Sequence, residues 1–207
     1  MAHHVCPWWI GYFLLNPVRR LGQNPQRVLG PYVQPGMTVL EVGCAMGFFT
    51  LDLARMVGPG GRIVAVDLQP RMIATLERRA RRAGLDGLIE ARVCPEDSLT
   101  VDDLAGCVDF ALAFAVAHEV SDQERLMVEL RAAVRDGGQL LVSEPAGHVT
   151  RNEFEASVTV AEEAGFSVIG RPAIARSRSV VLATASVTPG IGPDEIGNPG
   201  GPEGHRV

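Results

Sequence analysis

The sequence has little cysteine, few aromatic residues and no cysteine motif. Its 207 residues include four cysteines and 5% aromatic side chains. Cys6, Cys44, Cys94 and Cys107 form no Cys-x-x-Cys pair and show no metal-ligand spacing, which disfavours both a disulfide framework and a structural zinc site. We therefore expect a reducing, cytoplasmic setting and no metal.

Long apolar runs of the membrane-spanning kind are also missing. The apolar stretch Pro7–Leu15 is far shorter than the ~20 residues that a membrane span needs. No basic region precedes it and no small-residue cleavage site follows it, so we expect no membrane partner. Residues 1–35 are predicted to form a helical arm or lid. Trp8 and Trp9 either fix this arm to the domain, which we favour, or cover a substrate.

Strong positive charge is absent as well. The formal net charge is −5, whereas nucleic-acid-binding proteins usually carry a basic surface. The basic cluster Arg78–Arg82 is interpreted as a solvated helix face near a helix C-terminus, with a nucleic-acid patch as the alternative. We expect no nucleic-acid partner and a monomer or homodimer. Residues 186–207 are rich in proline and glycine and are predicted to be disordered.

What remains is a chain with the composition of a globular protein, 46% apolar and 21% charged. Apolar runs alternate with helix-like segments, which predicts an α/β fold with a mostly parallel sheet buried on both faces. The predicted strands are Thr38–Gly43, Arg62–Leu68, Leu88–Cys94, Val108–Ala117, Gln139–Pro145, Phe166–Ala173 and Ser179–Ala185. The link between the last two is too short for a parallel crossover, so the final strand should be antiparallel.

Two helix starts can be predicted from capping patterns. Ser121–Glu124 and Thr150–Glu153 each place a hydroxyl residue three positions before a glutamate. Gly137 and Gly138 are expected to end the first of these helices, and Gly165 the second.

The first two strands indicate a cofactor site of the nucleotide type. Thr38–Gly43 opens into a loop of small residues that lets a ligand approach the backbone closely. Arg62–Asp67 follows after one helix length and ends in an acid, which suits a ribose diol.

Four motifs then carry a resemblance to a known family. They are Glu41-x-Gly43-x-Ala45-x-Gly47, His118-Glu119-Val120, Arg135-Asp136-Gly137-Gly138-Gln139-Leu140 and Glu162-Glu163-Ala164-Gly165-Phe166. Over roughly residues 36–185 the chain resembles the class I S-adenosylmethionine-dependent methyltransferases that act on small molecules. The resemblance implies a three-layer Rossmann-like fold of seven strands with helices on both faces, S-adenosyl-L-methionine as cofactor and a small-molecule methyl acceptor.

The resemblance also implies roles for individual residues around the first loop. Gly43, Cys44, Ala45 and Gly47 would lie against the methionyl part of the cofactor, and Glu41 would support that loop. Position 45 usually holds glycine in the family. Alanine there keeps the close approach if its φ is negative, whereas a positive φ would change the pose or the affinity of the ligand.

Further cofactor contacts are implied along the next strands. Asp67 would accept hydrogen bonds from both ribose hydroxyls, and Leu68 would pack beside the adenine. Glu96 and Asp97 compete for the adenine amino group, and the backbone near Ala113 and Phe114 would close the pocket. For each acid, a helix cap or an exposed surface carboxylate is the alternative.

Two residues at the carboxyl ends of the fourth and fifth strands are candidates for catalysis. His118 could act as a base if the acceptor carries a proton at neutral pH, or it could be a structural histidine bonded to backbone. Glu144 ends the fifth strand on the same edge of the sheet.

Three alternatives stay open at this point. The chain could be a catalytically silent cofactor-binding or partner module, or a nicotinamide-dependent Rossmann enzyme. Cys6 and Cys44 could together bind a metalloid such as trivalent arsenic, because thiolates are soft ligands.

Overall fold

The computed structural model describes residues 22–186. Its helices are α1 (Pro25–Leu29), α2 (Thr50–Val57), α3 (Pro70–Ala83), α4 (Gln123–Ala133) and α5 (Arg151–Glu163). Its strands are β1 (Thr38–Val42), β2 (Arg62–Asp67), β3 (Ile89–Val93), β4 (Val108–Phe114), β5 (Val134–Pro145), β6 (Phe166–Gly170) and β7 (Ser177–Thr184). The predicted arm up to residue 21, with Cys6, Trp8 and Trp9, and the predicted tail from residue 187 lie outside the described residues.

The seven strands form one mixed sheet in the order β3-β2-β1-β4-β5-β7-β6. Strands β1 to β5 pair in parallel, while β7 pairs antiparallel with both β5 and β6. The predicted Rossmann-like fold with an antiparallel last strand is therefore confirmed.

Two apolar cores lie on opposite faces of the sheet. One packs Leu126 and Leu130 of α4 and Phe154 of α5 against the sheet, and the other packs Leu53 of α2 and Leu76 of α3 against the opposite face. Because the central strands contribute alternate side chains to both cores, they are apolar along their whole length, as the sequence pattern predicted.

Several predicted boundaries are wrong by two to five residues. β4 ends at Phe114 rather than Ala117, because Ala115 adopts a left-handed φ of 57° and the chain then makes a short 3-10 turn over Ala117–Glu119. β5 begins at Val134, so Gly137 and Gly138 lie inside a strand and do not end α4. β6 ends at Gly170 instead of residue 173, and β7 begins at Ser177 instead of residue 179.

One of the two predicted caps is confirmed and the other is displaced. Thr150 forms the complete capping box with Glu153 at the start of α5. At α4 the cap is Asp122 and not Ser121, since the Asp122 carboxylate accepts a hydrogen bond from the Arg125 amide. This side chain satisfies one of the amide groups that a helix start leaves without a partner.

Within residues 22–186, no helix is long and apolar enough to cross a membrane. The same residues contain no group of three or more histidine, cysteine, aspartate or glutamate side chains placed to hold a metal ion.

Candidate active site

The carboxyl ends of the parallel strands surround one cavity of about 370 Å³. The strand order reverses between β1 and β4, and this is the position where open α/β sheets bind their ligands. The volume falls in the range of roughly 300–1,000 Å³ that is usual for small-ligand sites.

The loop after β1 forms one wall of the cavity and has an unusual backbone. Gly43, Ala45 and Gly47 have φ values of 69°, 48° and 80°. A Cβ atom on Gly43 would lie 2.6 Å from the Val116 Cγ2 atom, so only glycine allows the two loops to meet here. Ala45 thus adopts the positive φ for which we expect a changed pose or affinity of the ligand, and this φ is strained for alanine.

Gly47 belongs to the loop but does not line the cavity, contrary to the prediction. A Cβ atom there would lie 2.5 Å from Leu76 Cδ1 and 2.9 Å from Leu51 Cδ1. Gly47 therefore lets the loop pack closely on α2 and α3.

Asp67 ends β2 at the cavity wall and is 8% exposed. Its Oδ2 atom accepts a hydrogen bond from the Ala45 amide and its Oδ1 atom accepts one from the Gln69 amide, both at 2.8 Å. Burial raises the pKa of this carboxyl group, and the two amide bonds oppose that rise. Each carboxylate oxygen has a second lone pair, which a ribose hydroxyl could use.

Glu41 lines the cavity beneath the same loop and is 4% exposed. Its Oε2 atom accepts a hydrogen bond of 2.5 Å from the Thr50 hydroxyl at the start of α2. This contact ties the end of β1 to the helix that follows the loop, which fits the supporting role implied for Glu41.

The loop after β3 contributes both acids that competed for the adenine amino group. Glu96 and Asp97 both line the cavity and both are exposed, so their positions do not separate them. Glu129 of α4 fixes the end of this loop, because its Oε2 atom accepts a hydrogen bond of 2.6 Å from the Leu99 amide. Leu68 lines the cavity near these residues.

His118 lies at the cavity wall after β4, with 25% of its side chain exposed. Its Nδ1 atom is hydrogen-bonded to the Oε2 atom of Glu144, which is 1% exposed. The other Glu144 oxygen accepts a hydrogen bond of 2.9 Å from the Ala117 amide. The Glu144 bond is the main cause that raises the pKa of His118 above its usual 6.5.

This geometry also fixes the tautomer of the neutral ring. When Glu144 is ionised it only accepts hydrogen bonds, so the Nδ1 atom of His118 carries the proton and donates it. The Nε2 atom then has a free lone pair. Glu144 itself does not line the cavity and lies behind His118. It can therefore contribute to catalysis only through the His118 imidazole.

Both cysteines at the cavity are protonated thiols near neutral pH. Burial raises the pKa of Cys94 to about 11, and burial together with nearby Glu41 raises the pKa of Cys44 well above its usual range. A thiol is a poor soft ligand compared with a thiolate, which weakens the metalloid hypothesis.

The structure therefore brings most of the predicted residues to one cavity. Those lining it are Glu41, Gly43, Cys44, Ala45, Asp67, Leu68, Glu96, Asp97, Phe114 and His118. Gly47, Ala113 and Glu144 do not line it. Ala113 is fully buried in the core formed with α4 and α5, because it still belongs to the regular part of β4.

Sequence reasoning missed several lining residues, among them Met72, Val116, Arg125 and His148. Val116 is apolar and was assigned to a strand. His148 lies in the turn after β5, and the rings of His118 and His148 meet edge to face with centroids 6.2 Å apart. The position of His148 just beyond the carboxyl end of a predicted strand could have indicated that it lies at the cavity.

Acidic groups dominate the charge of the cavity wall. Its carboxylates are Glu41, Asp67, Glu96, Asp97, Glu119, Asp122 and Glu129. Arg125 is the one arginine or lysine that the described residues contribute to this wall, and its Nε atom lies 3.2 Å from Glu129. This electrostatic environment favours a ligand that carries positive charge, as a sulfonium does.

The fold and the cavity define a Rossmann-like protein that binds a nucleoside-containing cofactor at the switch point of its sheet. A family model described as a methyltransferase domain matches residues 33–174. The chain belongs to this family and contains a domain of the class I S-adenosylmethionine-dependent methyltransferase type. The close backbone approach at Gly43, the Asp67 carboxylate and the acidic cavity wall fit S-adenosyl-L-methionine. The hypothesis of a nicotinamide-dependent enzyme therefore loses its support.

Known relatives agree with this assignment. The ubiquinone biosynthesis O-methyltransferase of Methylocella silvestris is 30% identical over 62% of this chain and 52% of its own length. The ubiquinone/menaquinone biosynthesis C-methyltransferase UbiE of an Enterobacter species is 28% identical over 54% of this chain and 44% of its own. This chain thus spans about half the length of these curated relatives.

A solved structure shares the fold. A SAM-dependent methyltransferase from Aquifex aeolicus superposes with a TM-score of 0.77 at 23% identity, covering 86% of this chain and 98% of that one.

Proposed function

We propose that this chain methylates a small-molecule acceptor whose acceptor atom carries a proton at neutral pH, and that His118 removes this proton. The pair formed by His118 and the buried Glu144 at the cavity wall carries the proposal. Two relatives are named for ubiquinone biosynthesis, which favours a small acceptor over a macromolecule.

S-Adenosyl-L-methionine, when bound, supplies an activated methyl group on a sulfonium. Glu41, Asp67 and the loop from Gly43 to Ala45 would hold it, with Leu68 and either Glu96 or Asp97 near the adenine. Because the sulfonium is already reactive, this chain contributes mainly orientation and proton removal.

His118 is suited to the second task. The Nε2 atom of His118 would take up the proton that the acceptor atom loses when it gains the methyl group. Glu144 then stabilises the imidazolium through its bond to Nδ1. General-base catalysis of this kind contributes about 10²- to 10⁴-fold to a rate.

The remaining expectations stay part of this proposal. We propose a cytoplasmic monomer or homodimer that does not act on nucleic acid. The net charge of −5 and the acidic cavity wall support the last point, since both repel a phosphate backbone.

The test is methyl transfer from methyl-labelled S-adenosyl-L-methionine to pooled small molecules with phenol, hydroxyl and amine groups. His118→Gln should lower turnover by about 100-fold or more while adenosylhomocysteine binds as in the wild type. His148→Gln is the matched comparison, because it removes the neighbouring imidazole but leaves the Glu144 pair intact, and it should retain more activity.

Two outcomes would contradict the proposal. Turnover of His118→Gln within a few-fold of the wild type would exclude the base role. Binding of adenosylhomocysteine without transfer to any member of the pool, nor to added RNA or protein, would instead favour the catalytically silent module.

A further inference from the structure

Arg79 of α3 belongs to the basic cluster Arg78–Arg82 but contacts the loop between β1 and α2, residues 43–49, which we call the cofactor loop. Among the four arginines of residues 78–82, Arg78, Arg81 and Arg82 are exposed, whereas Arg79 is half-buried. Its Nη1 atom donates hydrogen bonds to the carbonyl oxygen of Met46 and, at 3.0 Å, to that of Gly47. This arginine is therefore not part of a solvated face.

Together with two apolar residues of α3, Arg79 forms one side of the helix that packs against the loop. Met72, Leu76 and Arg79 follow at helical spacing along one side of α3. Met72 lines the cavity, and Leu76 occupies the space that a Cβ atom on Gly47 would need. Arg79 adds the hydrogen bonds to the loop carbonyl groups. This side of α3 therefore contacts both the part of the loop that lines the cavity and the part that does not.

The Gly43 and Cys44 amides hold the start of the loop to β2 by donating hydrogen bonds to the Val66 carbonyl oxygen, whereas the rest of the loop has no such contact with the sheet among the backbone hydrogen bonds of the described residues. Between β1 and α2, Gly43, Ala45 and Gly47 all have left-handed φ values, and for Ala45 this conformation is strained. Asp67 holds the first half of the loop through the Ala45 amide. Arg79 binds the carbonyl groups of the second half.

We propose that Arg79 is a positioning residue for the cofactor loop, which it holds in the shape that receives the methionyl part of S-adenosyl-L-methionine. It acts through the Met46 and Gly47 carbonyls and does not itself line the cavity. The role is independent of which acceptor is methylated, so it can be tested by binding alone.

The experiment compares Arg79→Met, Arg79→Lys and Arg82→Met in the full chain by isothermal titration with adenosylhomocysteine and with adenosine. Arg79→Met should raise the Kd for adenosylhomocysteine about 10-fold or more, because charged hydrogen bonds to the loop are lost. Adenosine lacks the part that faces the loop, so its Kd should change much less. Arg79→Lys keeps a charged donor and should be intermediate.

Arg82→Met is the matched control, since it removes an exposed arginine of the same helix, and it should bind both probes as the wild type does. Thermal unfolding without ligand checks that each variant is folded. Wild-type affinity of Arg79→Met for adenosylhomocysteine would overturn the proposal. An equal loss for adenosine and adenosylhomocysteine would also overturn it, because Arg79 would then support the whole domain and not the loop. If Arg79→Met does not fold, the same comparison on Arg79→Lys decides.

Discussion

Individual residues of the cofactor loop show how a strained backbone can be retained beside a binding site. Ala45 has a φ of 48°, a conformation in which its Cβ crowds the following carbonyl group. The Asp67 carboxylate holds it there through the Ala45 amide. The strain is therefore offset by a contact from the next strand, which explains how alanine can stand where glycine is usual.

This explanation predicts that Ala45→Gly stabilises the protein. Relief of about 1–2 kcal/mol of strain outweighs the ~0.4–1 kcal/mol that glycine adds to the entropy of the unfolded chain, leaving a net gain of roughly 0–1.5 kcal/mol. Urea denaturation measures this difference. Ala113→Gly is the comparison, because Ala113 lies in the regular part of β4 and its replacement should destabilise. A similar loss for both variants would show that Ala45 is not strained.

His118 gives a second prediction at this scale, in which stability depends on pH. Its pKa is raised above the usual 6.5, first of all by the hydrogen bond with Glu144. A raised pKa means that the pair stabilises the fold fully below about pH 6.5, and that this contribution is lost as the pH rises through the folded-state pKa. The free energy of unfolding of His118→Gln should therefore fall further below the wild type at about pH 5.5 than at about pH 9.

The matching measurement is an NMR titration of the His118 ring. In Glu144→Gln the neutral amide can no longer stabilise the imidazolium, so the pKa of His118 should fall. An unchanged pKa would mean that the Glu144 contact does not control the imidazole, and the tautomer assigned to His118 would lose its basis.

At the scale of elements, the loop and the helices under it behave as one packed unit. Gly47→Ala would place a Cβ atom 2.5 Å from Leu76 Cδ1 in addition to straining a φ of 80°. Gly84→Ala meets a similar φ, 66°, in the left-handed region, with no atom within 4 Å of the added Cβ. We expect Gly84→Ala to cost about 1–2 kcal/mol and Gly47→Ala about 1–3 kcal/mol more, as is typical of overpacking.

Denaturant titration of the two variants measures the packing contribution, because both replacements add a Cβ atom at a similar positive φ and only Gly47→Ala meets a side chain. The double variant Gly47→Ala, Leu76→Ala should lose less unfolding free energy than the two single variants lose in sum, because the smaller side chain at position 76 leaves room for the added Cβ atom. Equal costs for the two glycine variants would contradict the close packing of the loop on α3.

The elements also show what sequence patterns can and cannot predict. The order of strands and helices followed from apolar runs, because buried strands need apolar side chains on both faces. The end of β4 could not be found in this way, since Val116 and Ala117 are apolar for packing reasons after the chain has left the sheet at Ala115. The pairing of Val134 with Val108 depends on a distant strand and carries no local signal.

The same distinction applies to the site. Residues attached directly to strand ends, such as Asp67 and His118, were predicted because parallel strands bring their carboxyl ends together. Arg79 was assigned to a solvated face because its helix neighbours are charged. Its role depends on a loop more than thirty positions away in the sequence, which only the fold brings into contact.

At the scale of the whole molecule, the cofactor site depends on the folding of the entire sheet. The cavity is lined by the ends of β1, β2, β4 and β5 and by the loop after β3, so it exists only when these strands are paired. A ligand that binds this cavity should consequently stabilise the domain against complete unfolding, and not merely order one loop.

The cofactor should therefore cause a measurable thermal shift. At a concentration of 100 times its Kd, adenosylhomocysteine should stabilise the fold by about 2.7 kcal/mol and raise the Tm by roughly 5–10 °C. NAD at the same concentration should leave the Tm unchanged. Asp67→Ala should lose most of the shift, because it removes the carboxylate proposed for the ribose hydroxyls and the acceptor that holds Ala45. An undiminished shift in Asp67→Ala would exclude the ribose assignment, whereas a shift with NAD alone would show that the cavity binds a dinucleotide and not an adenosylmethionine-type ligand.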